Sequence, residues 1–282
     1  MLRSQTGSNY TVRCSLLELD TLIKKHLNGN QKEELIRIGW GFILEYKLKS
    51  NISRPLIIWL YKKLDPETLT MEFAGGVELK VTAHVVHILF GLPNSDIQAP
   101  RPSKDGDTSA LRWLKEKLGL TDTDVATVKH LIIHIKKGGT DDFTMRCIYL
   151  VFCMKLICPT QHSRISREAG VVQFLDYEKS ANMDICQLVV DEIKRAAIKF
   201  HSDGSNKNVA EACAVLPLVM YLDSLKCSHS LLTKDTPRAN FLDERRLKLV
   251  MEADVIKKNK WGKLNVSIDC INIVFILSPF TF

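Results

Sequence analysis

Two pairs of histidines have the spacing that places side chains on one face of a helix. His84 and His87 stand at positions i and i+3, and His130 and His134 stand at i and i+4. The second spacing can present two imidazoles to one metal ion. A zinc-protease helix also needs a glutamate between its histidines, and neither that glutamate nor a third ligand is evident. The sequence therefore predicts ordinary helical histidines and no metal site.

The eight cysteines are scattered along the chain and form no CxxC pair. Most of them stand in apolar segments, where a thiol behaves as a small hydrophobic side chain. They are Cys14, Cys147, Cys153, Cys158, Cys186, Cys213, Cys227 and Cys270. The first residues of the chain are polar and lack the apolar core of a secretory signal. We therefore expect reduced thiols in a protein of the nucleus, or otherwise of the cytoplasm, that is not secreted.

Catalytic signatures are missing from the sequence. A cysteine nucleophile needs a histidine within hydrogen-bond reach. Cys158 and His162 are close in sequence, but Pro159 breaks the helix between them. The GxSxG elbow, the P-loop and the GxGxxG fingerprint do not occur. We therefore predict no catalytic residue, no cofactor and no enzymatic activity.

A basic stretch offers a different chemistry, the binding of an anionic partner. Residues 244–263 carry seven basic and three acidic side chains. Clustered lysines beside Trp261 could grip phosphates while the indole stacks on a base. The same run could be a nuclear import signal or simply a solvated face. We predict that nucleic acid or an import receptor contacts Arg245, Arg246, Lys257, Lys258, Lys260 and Lys263.

The elements that must position these residues are mostly helical. The chain has 282 residues, 45% of them hydrophobic and 25% charged, with a net charge of +7, which is typical of a globular protein and not of a disordered one. Its most apolar run, residues 147–158, is shorter than the about 20 residues that cross a bilayer. That run predicts a helix buried on all sides, and no membrane partner. We predict a mainly α fold, a multi-helix orthogonal bundle with one small β-hairpin at about residues 69–81.

Local signals predict where several elements begin and end. Ser53 and Thr82 each cap a helix. A helix that begins at about Gln31 is predicted to continue through Gly39 and Gly41. Each glycine destabilises a helix, and we expect close packing against a neighbour to offset that loss. A helix over residues 209–225 is predicted to kink at its proline.

The composition also predicts how the chain is divided. We expect a flexible arm (1–14), a helical domain (15–230) with an internal loop (94–107), a basic tail (231–265) and an apolar tail (266–282). Val266-Ser267 can be encoded by GTAAGT, a strong splice-donor sequence. Our hypothesis is that residues 266–282 are translated intron.

A series of short motifs resembles a known family over about residues 15–230. In order, the motifs are Ile38-Gly39-Trp40-Gly41, Leu56–Leu60 with Trp59, Asp65-Pro66, the Gly-Gly hairpin, Thr82 and Leu89–Pro93. This order is similar to that of the plant mobile domain, also labelled aminotransferase-like. Three later segments are similar to a grass-type helical region found upstream of SUMO-specific cysteine protease domains in transposon-associated genes. They are Asp141–Arg146, Cys158-Pro159-Thr160 and Tyr221-Leu222-Asp223.

The resemblance implies a nuclear, transposon-derived helical module without catalysis of its own. No lysine stands in a recognisable pyridoxal-phosphate context, and Asp269-Cys270 is followed by Ile271 where the protease has glycine. The leading hypothesis is therefore a non-enzymatic interaction module with an unidentified protein partner. One alternative is the amino-terminal, non-catalytic region of a SUMO protease. The other is a nucleic-acid-binding protein that uses the basic tail.

Overall fold

Helices make up most of the structure, a computed structural model that describes residues 11–49, 53–102, 108–159, 163–202, 209–227, 235–242 and 244–267. The α-helices are α1 (Leu16–Thr21), α2 (Gly29–Arg37), α3 (Arg54–Lys63), α4 (Ala83–Phe90), α5 (Thr108–Leu118), α6 (Val128–Ile135), α7 (Asp142–Phe152), α8 (Ala169–Gln173), α9 (Ile185–Ser202), α10 (Val215–Asp223) and α11 (Glu244–Ala253). The short strands are β1 (Thr11–Val12), β2 (Thr70–Phe73), β3 (Val77–Lys80), β4 (Ile97–Gln98), β5 (Met183–Asp184) and β6 (Val209–Ala210). The prediction of a mainly α fold is confirmed.

Helix α7 lies at the centre of the core. The side chain of Asp141 caps it by accepting a hydrogen bond from the backbone N–H of Thr144. A π-helical turn, Cys153–Ile157, continues it, and every residue from Thr144 to Ile157 is buried except Arg146. The predicted burial on all sides is thus largely confirmed. Lys155 is tolerated because its ammonium lies 2.6 Å from the Glu18 carboxylate at the surface.

The predicted hairpin and two predicted caps are confirmed. Strands β2 and β3 pair antiparallel, with Met71 opposite Leu79. The side chain of Ser53 accepts a hydrogen bond from the N–H of Leu56 at the start of α3. Thr82 does the same for the N–H of Val85 at the start of α4. Each cap satisfies a donor that the first turn of a helix leaves unpaired.

The second predicted helix is shorter than expected. Helix α2 ends at Arg37, and Gly39 has φ +87°, which no helix residue adopts. A separate 3₁₀ turn, Gly41–Glu45, follows it. The prediction that Gly39 and Gly41 lie inside one helix is wrong, because Gly39 lies at the break between two elements and Gly41 begins the second.

The predicted helix over residues 209–225 is also wrong in its first half. Residues 209–210 form β6, which pairs in parallel with β1. The helix begins only at Val215, so Pro217 lies in its first turn, where a missing N–H costs nothing. The proline therefore starts α10 and does not kink it.

Other packed segments lie in parts predicted as arm and loop. Residues 11–14 of the predicted arm are held by the β1–β6 pairing and end at the buried Cys14. Strand β4, in the predicted internal loop, pairs with β5. Residues 1–10 and 103–107 lie outside the described part. Within that part, no helix combines the length and the hydropathy needed to span a membrane.

Candidate functional site

Helix α11 carries part of the predicted contact surface. Its residues Leu247 and Val250 are fully buried and lie on one face, three positions apart. This packing leaves Arg245, Arg246 and Lys248 exposed. The segment predicted as a basic tail is therefore folded onto the body of the protein from residue 244 to its predicted end at residue 265.

The lysines that follow α11 lie on a closed turn, which we call the lysine turn (residues 257–260). The N–H of Lys260 donates to the carbonyl of Lys257 at 2.8 Å, and the N–H of Ile256 donates to the carbonyl of Lys260 at 3.0 Å. Asn259 has φ +57°, a left-handed conformation that asparagine tolerates better than most residues. The backbone of the turn is thus already hydrogen-bonded to itself.

Asp254 anchors the lysine turn to the core. Its carboxylate is fully buried. It accepts hydrogen bonds from the Tyr221 hydroxyl at 2.6 Å, from the N–H of Gly262 at 3.0 Å and from the N–H of Leu264 at 2.8 Å. Burial, together with the hydrogen bond to Asp254, raises the pKa of Tyr221. Three donors converging on a buried carboxylate fix the position of both ends of the turn.

Trp261 is not available to a ligand. Its side chain is buried, and its ring centre lies 5.9 Å from that of Trp59. Trp59 in turn packs against Tyr221 and Phe73. The prediction that Trp261 could stack on a base is wrong, because its large apolar ring is buried among these aromatic side chains.

The six predicted contact residues are all exposed and belong to one folded segment. They are Arg245, Arg246, Lys257, Lys258, Lys260 and Lys263. Of the three acids in the segment, Asp254 is buried, and Glu244 accepts a hydrogen bond from the backbone N–H of Lys49. Glu252 is exposed. The surface formed by residues 244–263, which we call the basic surface, therefore has a strong excess of positive charge.

Three of the four histidines in the two pairs contact an oxygen atom of a nearby residue. His87 Nδ1 lies 2.7 Å from the carbonyl oxygen of Leu92. His130 Nδ1 lies 3.1 Å from the Thr127 hydroxyl, and His134 Nε2 lies 3.2 Å from the Thr144 hydroxyl. Among the residues that the structure describes, no group of three or more histidine, cysteine, aspartate or glutamate side chains could hold a metal ion.

Six of the seven described cysteines are buried free thiols. Burial raises the pKa of Cys14 and of Cys153 to about 12, and it raises the pKa of Cys158 well above its ordinary value. A thiol needs to ionise near neutral pH to act as a nucleophile. His162, the candidate base beside Cys158, and Cys270 lie outside the described residues.

An apolar cavity lies beside α7. Trp40, Ile148, Tyr149 and Phe152 are among the residues that line it. Its volume is about 10 Å³, the space of a single water molecule. A cavity of this size does not bind a metabolite.

A charged cluster that the sequence analysis missed lies around Glu211. Its carboxylate contacts Arg13 at 2.6 Å, Lys199 at 2.8 Å and Arg195 at 3.7 Å. Arg195 also contacts Glu192 at 2.9 Å. Arg13 is far from the other residues in sequence and reaches Glu211 because β1 pairs with β6, which contacts α9, so no local spacing reveals the cluster. The cluster joins three parts of the chain, and its acids are all paired, which indicates a structural role.

Comparison with known proteins gives a family without an assigned activity. No curated protein and no solved structure matches the chain. A family model, described as a domain of unknown function (DUF8566), matches residues 12–217, more than half of the chain. The basic surface lies beyond the matched residues. The chain belongs to the DUF8566 family.

Proposed function

We propose that the chain is a non-enzymatic helical interaction module that binds an anionic partner through the basic surface. One observation carries this proposal: seven exposed basic side chains lie on a segment whose backbone is fixed by Asp254 and by buried residues of α11. Fixed cations lose less conformational entropy on binding than cations on a free chain.

The chemistry of the other candidate residues supports a role without catalysis. The buried thiols have raised pKa values, and the described histidines named above contact backbone carbonyls or hydroxyl groups. Thiols with raised pKa values are not poised as nucleophiles at neutral pH. A nuclear location and a transposon origin are part of the proposal, and they rest on the resemblance to the plant mobile domain.

Retention on an immobilised sulfated polymer tests the proposal. We compare the wild-type chain with a variant in which Lys257, Lys258, Lys260 and Lys263 are changed to glutamine. The control variant carries the same charge change at four exposed lysines on other elements, which are Lys62, Lys117, Lys129 and Lys136. Glutamine suits both helices and exposed turns.

We expect the first variant to elute at clearly lower salt than the wild type, and the control to elute close to the wild type. Equal shifts in both variants would mean that net charge alone governs retention, which contradicts a dedicated surface. Thermal unfolding of all three proteins shows whether the substitutions leave the fold intact.

The alternative proposal, an amino-terminal region of a SUMO-specific protease, rests on the resemblance alone. Sequencing of full-length transcripts tests it. A transcript spliced at Val266 into a peptidase exon would support this alternative, and a transcript that ends after Phe282 would contradict it.

A further inference from the structure

The basic surface has features that distinguish between classes of anionic partner. We infer that it binds the phosphate backbone of double-stranded nucleic acid without reading its sequence. This inference rests on the proposed function, because it names the partner of the same surface. Three observations support it: the missing aromatic platform, the closed backbone of the lysine turn and the type of cation.

The first observation concerns single strands. Proteins that bind single-stranded nucleic acid stack bases on exposed aromatic side chains. Trp261 is the only aromatic residue between positions 244 and 267, and it is buried against Trp59. Residues 244–267 therefore offer charge without an exposed aromatic ring, and a single strand would contact them only through its phosphates.

The second observation concerns an import receptor. A receptor that binds a lysine run as an extended peptide needs access to its backbone. Here the N–H groups of Ile256 and Lys260 already donate to carbonyls within the turn. Asp254 additionally holds the N–H groups of Gly262 and Leu264. Reading these residues as an extended signal would require breaking all four hydrogen bonds.

The third observation concerns the cations themselves. Five of the seven exposed basic side chains are lysines, which act on phosphates as point charges and do not fork onto a base edge as arginine does. Helix α11 has 10 residues, which gives a length of about 15 Å, and the lysine turn extends the charged surface beyond its end. A duplex carries one phosphate charge per about 1.7 Å of its axis, so it offers several phosphates over the length of this surface.

Fluorescence anisotropy with three labelled probes tests the inference. The probes are a short DNA duplex, a single strand of the same sequence, and a poly-glutamate peptide. If Lys257, Lys258, Lys260 and Lys263 each neutralise one phosphate, these four lysines contribute about −3.6 to the slope of the logarithm of the duplex affinity against the logarithm of salt. That contribution corresponds to a loss of about 150-fold in affinity between about 50 mM and about 200 mM salt.

We expect the duplex to bind more tightly than the single strand and the peptide. A second duplex of different sequence should bind equally well. The glutamine variant at Lys257, Lys258, Lys260 and Lys263 should lose more than about 50-fold in duplex affinity at about 50 mM salt, and its salt slope should be less steep than that of the wild type by about 3.6. The control variant at Lys62, Lys117, Lys129 and Lys136 should retain the wild-type slope.

The alternative outcomes separate the two proposals. Tight binding of the peptide or of the single strand, with no preference for the duplex, overturns this inference but leaves an anion-binding surface in place. Binding of the duplex that both variants weaken equally also overturns it, because the contact would then lie elsewhere. No binding of any of the three probes at low salt overturns both this inference and the proposed function.

Discussion

A buried ion pair joins α10 to the segment that precedes α11, and its behaviour with pH can be worked out. Asp223 Oδ2 lies 3.3 Å from Arg238 Nε, and the two side chains are 1% and 3% exposed. Burial raises the pKa of Asp223 from 3.8 to about 6, although the positive charge of Arg238 acts in the opposite direction. Desolvation of the carboxylate therefore outweighs the attraction within the pair.

The sign of the effect on stability follows from this raised pKa. Between about pH 4 and pH 6 the folded state binds a proton at Asp223 that the unfolded state has released. The contribution of Asp223 to the free energy of unfolding therefore falls as the pH rises through this range. A shift of about two pKa units corresponds to about 3 kcal/mol.

The substitution Asp223→Asn isolates this contribution, because asparagine does not titrate. We expect the difference in the free energy of unfolding, wild type minus D223N, to fall by about 3 kcal/mol between about pH 4 and about pH 7. Urea unfolding, followed by tryptophan fluorescence at several pH values, measures the difference. Acids with lowered pKa values, such as Glu34 and Asp141, make the free energy of unfolding rise with pH. Both proteins contain these acids, so subtracting the D223N value from the wild-type value removes their contribution.

Substitution of the arginine provides the companion measurement. Arg238→Met leaves Asp223 buried without its cation, so we expect a loss of about 3–5 kcal/mol at neutral pH and a smaller loss near pH 5. A wild-type minus D223N difference that stays constant with pH, or that rises, would refute this reasoning. It would mean that Arg238 keeps Asp223 ionised throughout.

Three further predictions concern the anchor of the basic surface, a backbone break and the thiols. Asp254→Ala should lower the free energy of unfolding, measured in urea, by about 3 kcal/mol, because it leaves the Tyr221 hydroxyl and the N–H groups of Gly262 and Leu264 unpaired. The control Glu252→Ala, at an exposed site, should change it by less than about 0.5 kcal/mol. Gly75→Ala should lower the free energy of unfolding by about 1 kcal/mol, because Gly75 has a φ of +79°. Gly39→Ala should lower it by about 3 kcal/mol, because the new Cβ also comes within 2.8 Å of the Cβ of Ala181. Equal losses in Tm for the two variants would contradict this clash. The six buried thiols should react with a disulfide reagent only after urea is added, and rapid titration of more than two thiols in the native chain would argue against their burial.

The parts of the fold that sequence predicted well are those fixed by local chemistry. Ser53 and Thr82 each cap a helix through a contact three residues away, so the signal and the contact lie in the same short stretch. The β2–β3 hairpin is local in the same sense, since a turn joins its two strands.

The wrong predictions have a common physical origin in contacts between distant residues. Strand β6 forms because residues 209–210 pair with residues 11–12, and no periodicity near position 209 indicates this pairing. Helix α2 ends where the chain must turn at Gly39, and its apolar spacing alone does not show the turn. The Glu211 cluster likewise depends on the pairing of β1 with β6, which brings Arg13 to Glu211.

The basic segment shows how a charge pattern can hide a folding pattern. Counting lysines and arginines predicted a solvated tail, but the same residues contain Leu247, Val250 and Asp254 at positions i, i+3 and i+7, which is one face of a helix. That face is buried, and Trp261 closes the segment against Trp59. The sequence analysis thus named the exposed cations but did not predict the buried residues that fix their segment to the core. The difference matters for function, because a free tail can mould itself to many acidic partners, whereas a fixed set of cations favours a partner whose charges are also fixed, as the phosphates of a duplex are.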